Sequence, residues 1–358
     1  MVFTGGRGVV NISGPNRIVP GRHQIVGNFT FNTREFSDKV PWSEGKGNVC
    51  EAAGVEGSPE DGNSLNVASM SFVLLRVLNG SLGLAMLFFP QQVLEKVCAV
   101  STNTLVSGLL MMIGGVHLYA SLIAHTLVSA SEHGRLGSDT YKRLGTSLAV
   151  FGYSGLATLL CSSCQMSLLP LGIYGGSLVL SGVIPMIFSK GYRLGLKKWK
   201  PFPLVSLENL YGLSYLGVIA AVLAVWYSKL SPSSFLGVQL GSLNWIQQPA
   251  GTLGHDMIEF LSVTGGALLV GAFVTLLDAH QRGRLGASTF KQLNLGIGGL
   301  GVIWAWVFFK LQSEGSLTVP NLFAPYMGHL MDIFTMKLSL FFPIIGVVCL
   351  WQWYFAKK

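Results

Sequence analysis

Apolar residues in this chain of 358 residues do not alternate with polar ones at strand or helix period; they come in long, nearly unbroken blocks. A helix that crosses a bilayer needs roughly 20 mainly apolar residues, because each residue rises ~1.5 Å through a hydrocarbon layer ~30 Å thick. Eight segments meet that length: Ser71–Gln91, Thr104–Ala124, Leu144–Ser162, Leu168–Ser189, Leu210–Ser228, Ile258–Leu277, Leu293–Leu311 and Lys337–Ala356. The pattern predicts an all-α integral membrane protein of about eight transmembrane helices.

The ends of these blocks carry an orientation. If the N-terminal side is called inner, the inner connections hold thirteen Lys and Arg: Arg135, Lys142, Arg143, Lys190, Arg193, Lys197, Lys198, Lys200, Arg282, Arg284, Lys291, Lys357 and Lys358. The outer connections hold four: Lys96, Lys229, Lys310 and Lys337. Positive charge collects in the loops that are not translocated, so both termini are expected on the inner side, whether cytoplasmic, matrix or stromal. An organelle inner membrane is one such setting.

A second pattern lies within the first. Gly134-Arg135-Leu136-Gly137-Ser138-Asp139-Thr140-Tyr141-Lys142-Arg143-Leu144 returns as Gly283-Arg284-Leu285-Gly286-Ala287-Ser288-Thr289-Phe290-Lys291-Gln292-Leu293, with seven of eleven positions identical. Upstream, the pair Gly114-Gly115 matches Gly265-Gly266. Four predicted spans separate the copies, and an even number restores orientation, which makes the halves parallel repeats. The expected organisation is therefore a mostly irregular inner tail (residues 1–69), a first four-helix repeat (70–200) and a second (201–358).

Within the repeated loop, Gly134 and Gly137 permit a tight turn, and Ser138 or Asp139 is placed to cap the next helix. Glu132-His133-Gly134-Arg135 and the stretch from Asp278 to Arg284 faintly resemble the loop between the second and third helices of major facilitator transporters. That family has six-helix halves where this chain has four, so the likeness is one of analogy.

Composition agrees with the block pattern: 50% of residues are hydrophobic and 11% charged, against roughly 25% charged in soluble chains. The net charge of +8 sits at block ends rather than on a basic, aromatic-bearing soluble face. It points to anionic lipid headgroups at the inner face and away from nucleic acid. The tail adds an asymmetry of its own, since residues 1–34 carry four Arg and no acid while residues 35–61 carry seven acids. An acid-free, Arg-bearing start resembles an organellar transit segment, although no amphipathic helix is evident there.

Ionisable groups inside a membrane are costly and therefore few. Arg76 lies near the inner end of the first span, and Glu208 precedes the fifth at a broadly equivalent place, making an Arg76–Glu208 pair between repeats a candidate contact. His117 falls near the middle of the second span, where an imidazole serves as a haem or pigment ligand, a proton relay or a hydrogen-bonded packing residue. No cofactor is otherwise implied. Cys98, Cys161 and Cys164 gather at the outer side, where an oxidising compartment would allow a disulfide among them.

No Ser-His-Asp, H-E-x-x-H, P-loop or GxGxxG arrangement occurs in a supporting context, which argues against an enzyme. The expected function is non-enzymatic: an accessory or scaffold subunit of a membrane complex, or a lipid- or pigment-binding bundle, with other membrane subunits or a second copy as partners. The alternative is a small-solute transporter or channel built from parallel repeats.

Overall fold

The computed structural model describes residues 2–4, 9–11, 29–30, 61–98, 103–162, 168–189, 191–193, 207–230, 252–314 and 338–355. The chain divides at residue 61 into two compact units. In the N-terminal unit, Val2–Thr4, Val9–Asn11 and Phe29–Thr30 form a small antiparallel sheet in sequence order.

Among the described residues, the second unit is built of helices joined by short turns. Its elements are α1 (Asp61–Phe88), α2 (Pro90–Cys98), α3 (Thr104–Glu132), α4 (Asp139–Cys161), α5 (Leu168–Phe188), α6 (Leu207–Leu230), α7 (Leu253–Phe260), α8 (Gly266–Gln281), α9 (Ser288–Ser313) and α10 (Leu338–Phe355). A five-residue π-helical turn, Leu261–Gly265, joins α7 to α8 into one continuous rod. Among the described residues, six helices are long and apolar enough to cross a membrane: the apolar part of α1, α3, α4, α5, the α7–α8 rod and α9. Shorter apolar stretches occur in α6 and α10. The chain is thus a multi-pass membrane helical bundle.

Two helices form its centre. Within their apolar windows α3 is 78% buried and the α7–α8 rod 72% buried, whereas α1 is 28% and α5 33%. The outer helices turn large side chains such as Met70, Val77 and Phe88 of α1 outward, as lipid-facing helices do. Helices pack in related pairs: α4 against α5 and α9 against α10, then α3 against α9 and α4 against α8. The last two pairs cross between the N-terminal and C-terminal halves of the bundle.

Close approach depends on missing side chains. A Cβ on Gly152 of α4 would lie 2.3 Å from the Gly182 nitrogen of α5, and one on Gly83 of α1 would lie 2.8 Å from the Gly114 carbonyl oxygen of α3. Lipid supplies no hydrophobic force between helices, so backbone contacts of this kind carry the association through dispersion.

Candidate functional site

The two copies of the loop have the same backbone. Gly134 and Gly283 take left-handed φ values of +63° and +64°. The Arg135 nitrogen donates to Ala130 O at 2.8 Å, as Arg284 does to Ala279 O at 2.8 Å; Gly134 N to Ser131 O and Gly283 N to His280 O complete the pattern. These paired bonds define a Schellman cap, which satisfies two helix-end carbonyls and requires a glycine at the left-handed position. Leu136 and Leu285 then turn inward as buried plugs, while Arg135 and Arg284 stay exposed. Gly137 carries no left-handed φ, and an added Cβ would meet nothing there. Gly286 is buried behind Leu285 in sequence.

Capping of α4 differs from expectation. Ser138 occupies the N-cap position with extended backbone but its hydroxyl makes no capping bond. Asp139 is drawn instead to Arg193 beyond α5, with which it pairs directly.

The loops meet at one face of the bundle. Tyr141 Oη lies 3.2 Å from Thr289 Oγ1, so one loop's helix start touches the other's. Just beneath, Arg143 Nη1 of α4 donates to Asp278 Oδ2 of α8 at 2.7 Å, with the Arg side chain fully buried and the Asp side chain 8% exposed. Arg282 Nη2 approaches the other oxygen, Oδ1, at 3.1 Å. A carboxylate held by two guanidinium groups answers the desolvation that burial imposes on each charge. One turn deeper, Ser147 packs so tightly on Gly271 that no side chain fits there.

The sequence reading missed this pair by a narrow margin. The predicted spans start at Leu144 and end at Leu277, so each charge fell one residue outside. The available signal was opposite charge on the two flanks of a repeated loop.

His117 sits mid-bundle and fully buried on α3. Asn79 of α1 donates through Nδ2 to Leu75 O and to Ser181 Oγ of α5, each at 3.1 Å, which leaves Asn79 Oδ1 as an acceptor. His117 Nδ1 therefore donates to Asn79 Oδ1 at 2.9 Å, and Nε2 accepts from Tyr174 Oη at 3.2 Å. Phe151 meets the imidazole edge-on and Phe260 stacks on it at 6.3 Å. The network ties α1, α3 and α5 together, and both ring nitrogens are engaged by protein groups. In the C-terminal half, Tyr215 of α6 donates to Asn294 Oδ1 of α9 at 3.0 Å.

Arg76 is exposed on α1, and its Nη1 donates toward His125 Nδ1 of α3 at 3.3 Å. The Glu208 side chain lies outside the described residues. Cys161 is an exposed free thiol, whereas the Cys98 and Cys164 side chains lie outside the described residues. Among the described residues, no cluster of His, Cys, Asp and Glu has a metal-binding arrangement.

The π turn in the central rod sits next to this network. Thr264 Oγ1 donates to Phe260 O, and Trp226 Nε1 of α6 donates to Ser262 O at 2.7 Å. A π turn widens the helix and misaligns its carbonyls, and here an indole from the neighbouring helix takes up one of them. Gly265, at the end of the turn, faces Val116, the residue before His117.

No protein-family model, curated protein or solved structure shows significant similarity to this chain. Fold and composition define it as a multi-pass membrane helical bundle.

Proposed function

We propose that the chain is a non-enzymatic accessory or scaffold subunit of a membrane complex, built from eight spans in two parallel four-helix halves with both termini on the inner side. The observation that carries this reading is the fate of buried charge. Among the described residues, the buried acidic and basic side chains are Asp278 and Arg143, which pair with each other, while His117 is held at both nitrogens. Ion pathways keep charged groups facing water, and here they serve to fasten helices.

Several features support the finer architecture. Among the described residues, helices α6 and α10, of 24 and 18 residues, each add a shorter apolar stretch to the six long ones, which favours an eight-span reading. The bond-for-bond likeness of the two caps and the central position of α3 and of the α7–α8 rod suit a duplicated four-helix unit. Anionic headgroups fit the exposed Arg135 and Arg284.

Purification in mild detergent tests the reading. Stable co-migration with a larger assembly is the expected result. A lone protein that conducts a solute across liposomes overturns it.

One observation favours a transporter instead: the cross-half ion pair lies at the loop face, while a cavity lies toward the opposite ends of the same helices. That is the arrangement of a bundle closed at one side. Flux that rises in Asp278→Asn liposomes would support this second reading.

A further inference from the structure

We propose that a cavity among α1, α3, α4, α5 and α7, at the face opposite the repeated loops, holds the acyl tail of a zwitterionic membrane lipid. The cavity measures about 300 Å³. Leu82, Met86, Leu110, Ile113, Leu159 and Phe260 form much of its wall. Tyr174 closes one side with its ring, its hydroxyl being bonded to His117. Val93 and Leu94 of the short helix α2 cover the top. This α2 is amphipathic, with Leu94 buried and Gln91, Gln92, Glu95 and Lys96 outward, as suits a helix lying along an interface.

The chemistry selects the occupant in three steps. Water is disfavoured, because an ordered water needs two to four polar partners and this wall is almost wholly hydrocarbon. A macrocyclic pigment is disfavoured by size, since the volume stands at the low end of small-molecule sites. A flexible chain remains, and the site opens toward where such chains are. Leu169 and Ile173 line the cavity and yet are 75% and 52% exposed on the outside of α5. The cavity is thus continuous with the lipid-facing surface.

The rim adds a preference for the head. Asp256 and Ser162 line the cavity, while Glu259, one turn further along α7, stands 3.9 Å from His255 Nε2. A carboxylate at the rim attracts an ammonium head and repels a free fatty acid or an anionic lipid. An ethanolamine head meets that condition. The site belongs to the bundle itself and stands whether the chain works alone or within a complex.

Photo-crosslinking tests it. The full chain is placed in nanodiscs containing phosphatidylethanolamine with a diazirine on one acyl chain, irradiated, and mapped by mass spectrometry. Adducts on Met86, Leu110 and Ile113 are expected, and excess unlabelled phosphatidylethanolamine should remove them while those on outward-facing Trp306 and Phe309 persist. Ala85→Phe, which fills the cavity, should abolish the inner adducts alone. Asp256→Lys should transfer the preference to a phosphatidylglycerol probe. Wild-type adducts confined to outward-facing residues would overturn the proposal, and that map needs no variant to fold.

Discussion

Arg143 and Asp278 meet 2.7 Å apart, on helices from opposite halves of the chain, with the guanidinium fully buried. Removing one partner of such a pair strands the other charge in a low-dielectric site and costs about 3–5 kcal/mol, whereas replacing both by apolar residues is often neutral. Asp278→Asn, which leaves Arg143 and Arg282 facing an amide, should therefore melt well below wild type. The double variant Arg143→Met with Asp278→Leu should recover most of the loss. Thermal unfolding followed by size-exclusion chromatography in detergent measures both. An Asp278→Asn protein as stable as wild type would remove the pair from the account of how the halves are held.

The hydrogen bonds around His117 predict unequal losses. Tyr174→Phe deletes one bond and should cost about 0.6 kcal/mol, the average for interhelical bonds in membranes. Asn79→Leu deletes three bonds, made to Leu75, Ser181 and His117, and should cost clearly more. A double-mutant cycle between Asn79 and His117 should show coupling, since the two share a bond. Because both imidazole nitrogens are occupied, the purified protein should show no Soret band. A Soret band that His117→Ala abolishes would refute the packing role.

What the sequence made legible follows from what lipid and backbone each demand. Long apolar blocks stand out because hydrocarbon tolerates no unsatisfied backbone, so α3, α4 and α9 were readable as spans. The repeated loop was readable because a left-handed cap admits little but glycine, and Gly134 and Gly283 carry that requirement on the surface of the text. Arg143 and Asp278 were not, because a hydropathy block has soft edges and the structure extends the helices past them into the protein's own interior. The partners of His117 lie 38 and 57 residues away, where spacing carries no information. Neither the π turn nor the cavity leaves a local signal, since each arises from how separate helices fit. Ser138 and Asp139 make the same point in reverse: local chemistry suited them to capping, and Arg193 took Asp139 away.

The two loop glycines should respond alike. An alanine in the left-handed region costs roughly 1–2 kcal/mol through its Cβ clash with the following carbonyl. Gly134→Ala and Gly283→Ala should lower the melting temperature by similar amounts, as their φ values of +63° and +64° require. Gly137→Ala should leave it unchanged, because neither φ nor space opposes a methyl there. A large difference between the first two would mean that the caps, though alike in backbone, do different work.

The last prediction concerns sign as well as size. A methyl at Gly152 would sit 2.3 Å from the Gly182 nitrogen and 2.4 Å from the Leu178 carbonyl oxygen, both of them backbone atoms that cannot turn aside. Gly152→Ala must therefore push α4 away from α5 and loosen every contact along that crossing, including those that position Ser181 for Asn79. Overpacking of a tight interface costs roughly 1–3 kcal/mol, and it should be felt at His117 as well. Gly299 on α9 is exposed, and an added methyl there meets nothing within 4 Å. At that site the intrinsic helix preference for Ala over Gly acts alone, so Gly299→Ala should stabilise by up to about 1 kcal/mol. The same chemical change thus moves the melting temperature down at one glycine and up at the other. If both substitutions lowered it equally, glycine would matter here for flexibility, and the close crossing of α4 and α5 would not be what holds these helices together.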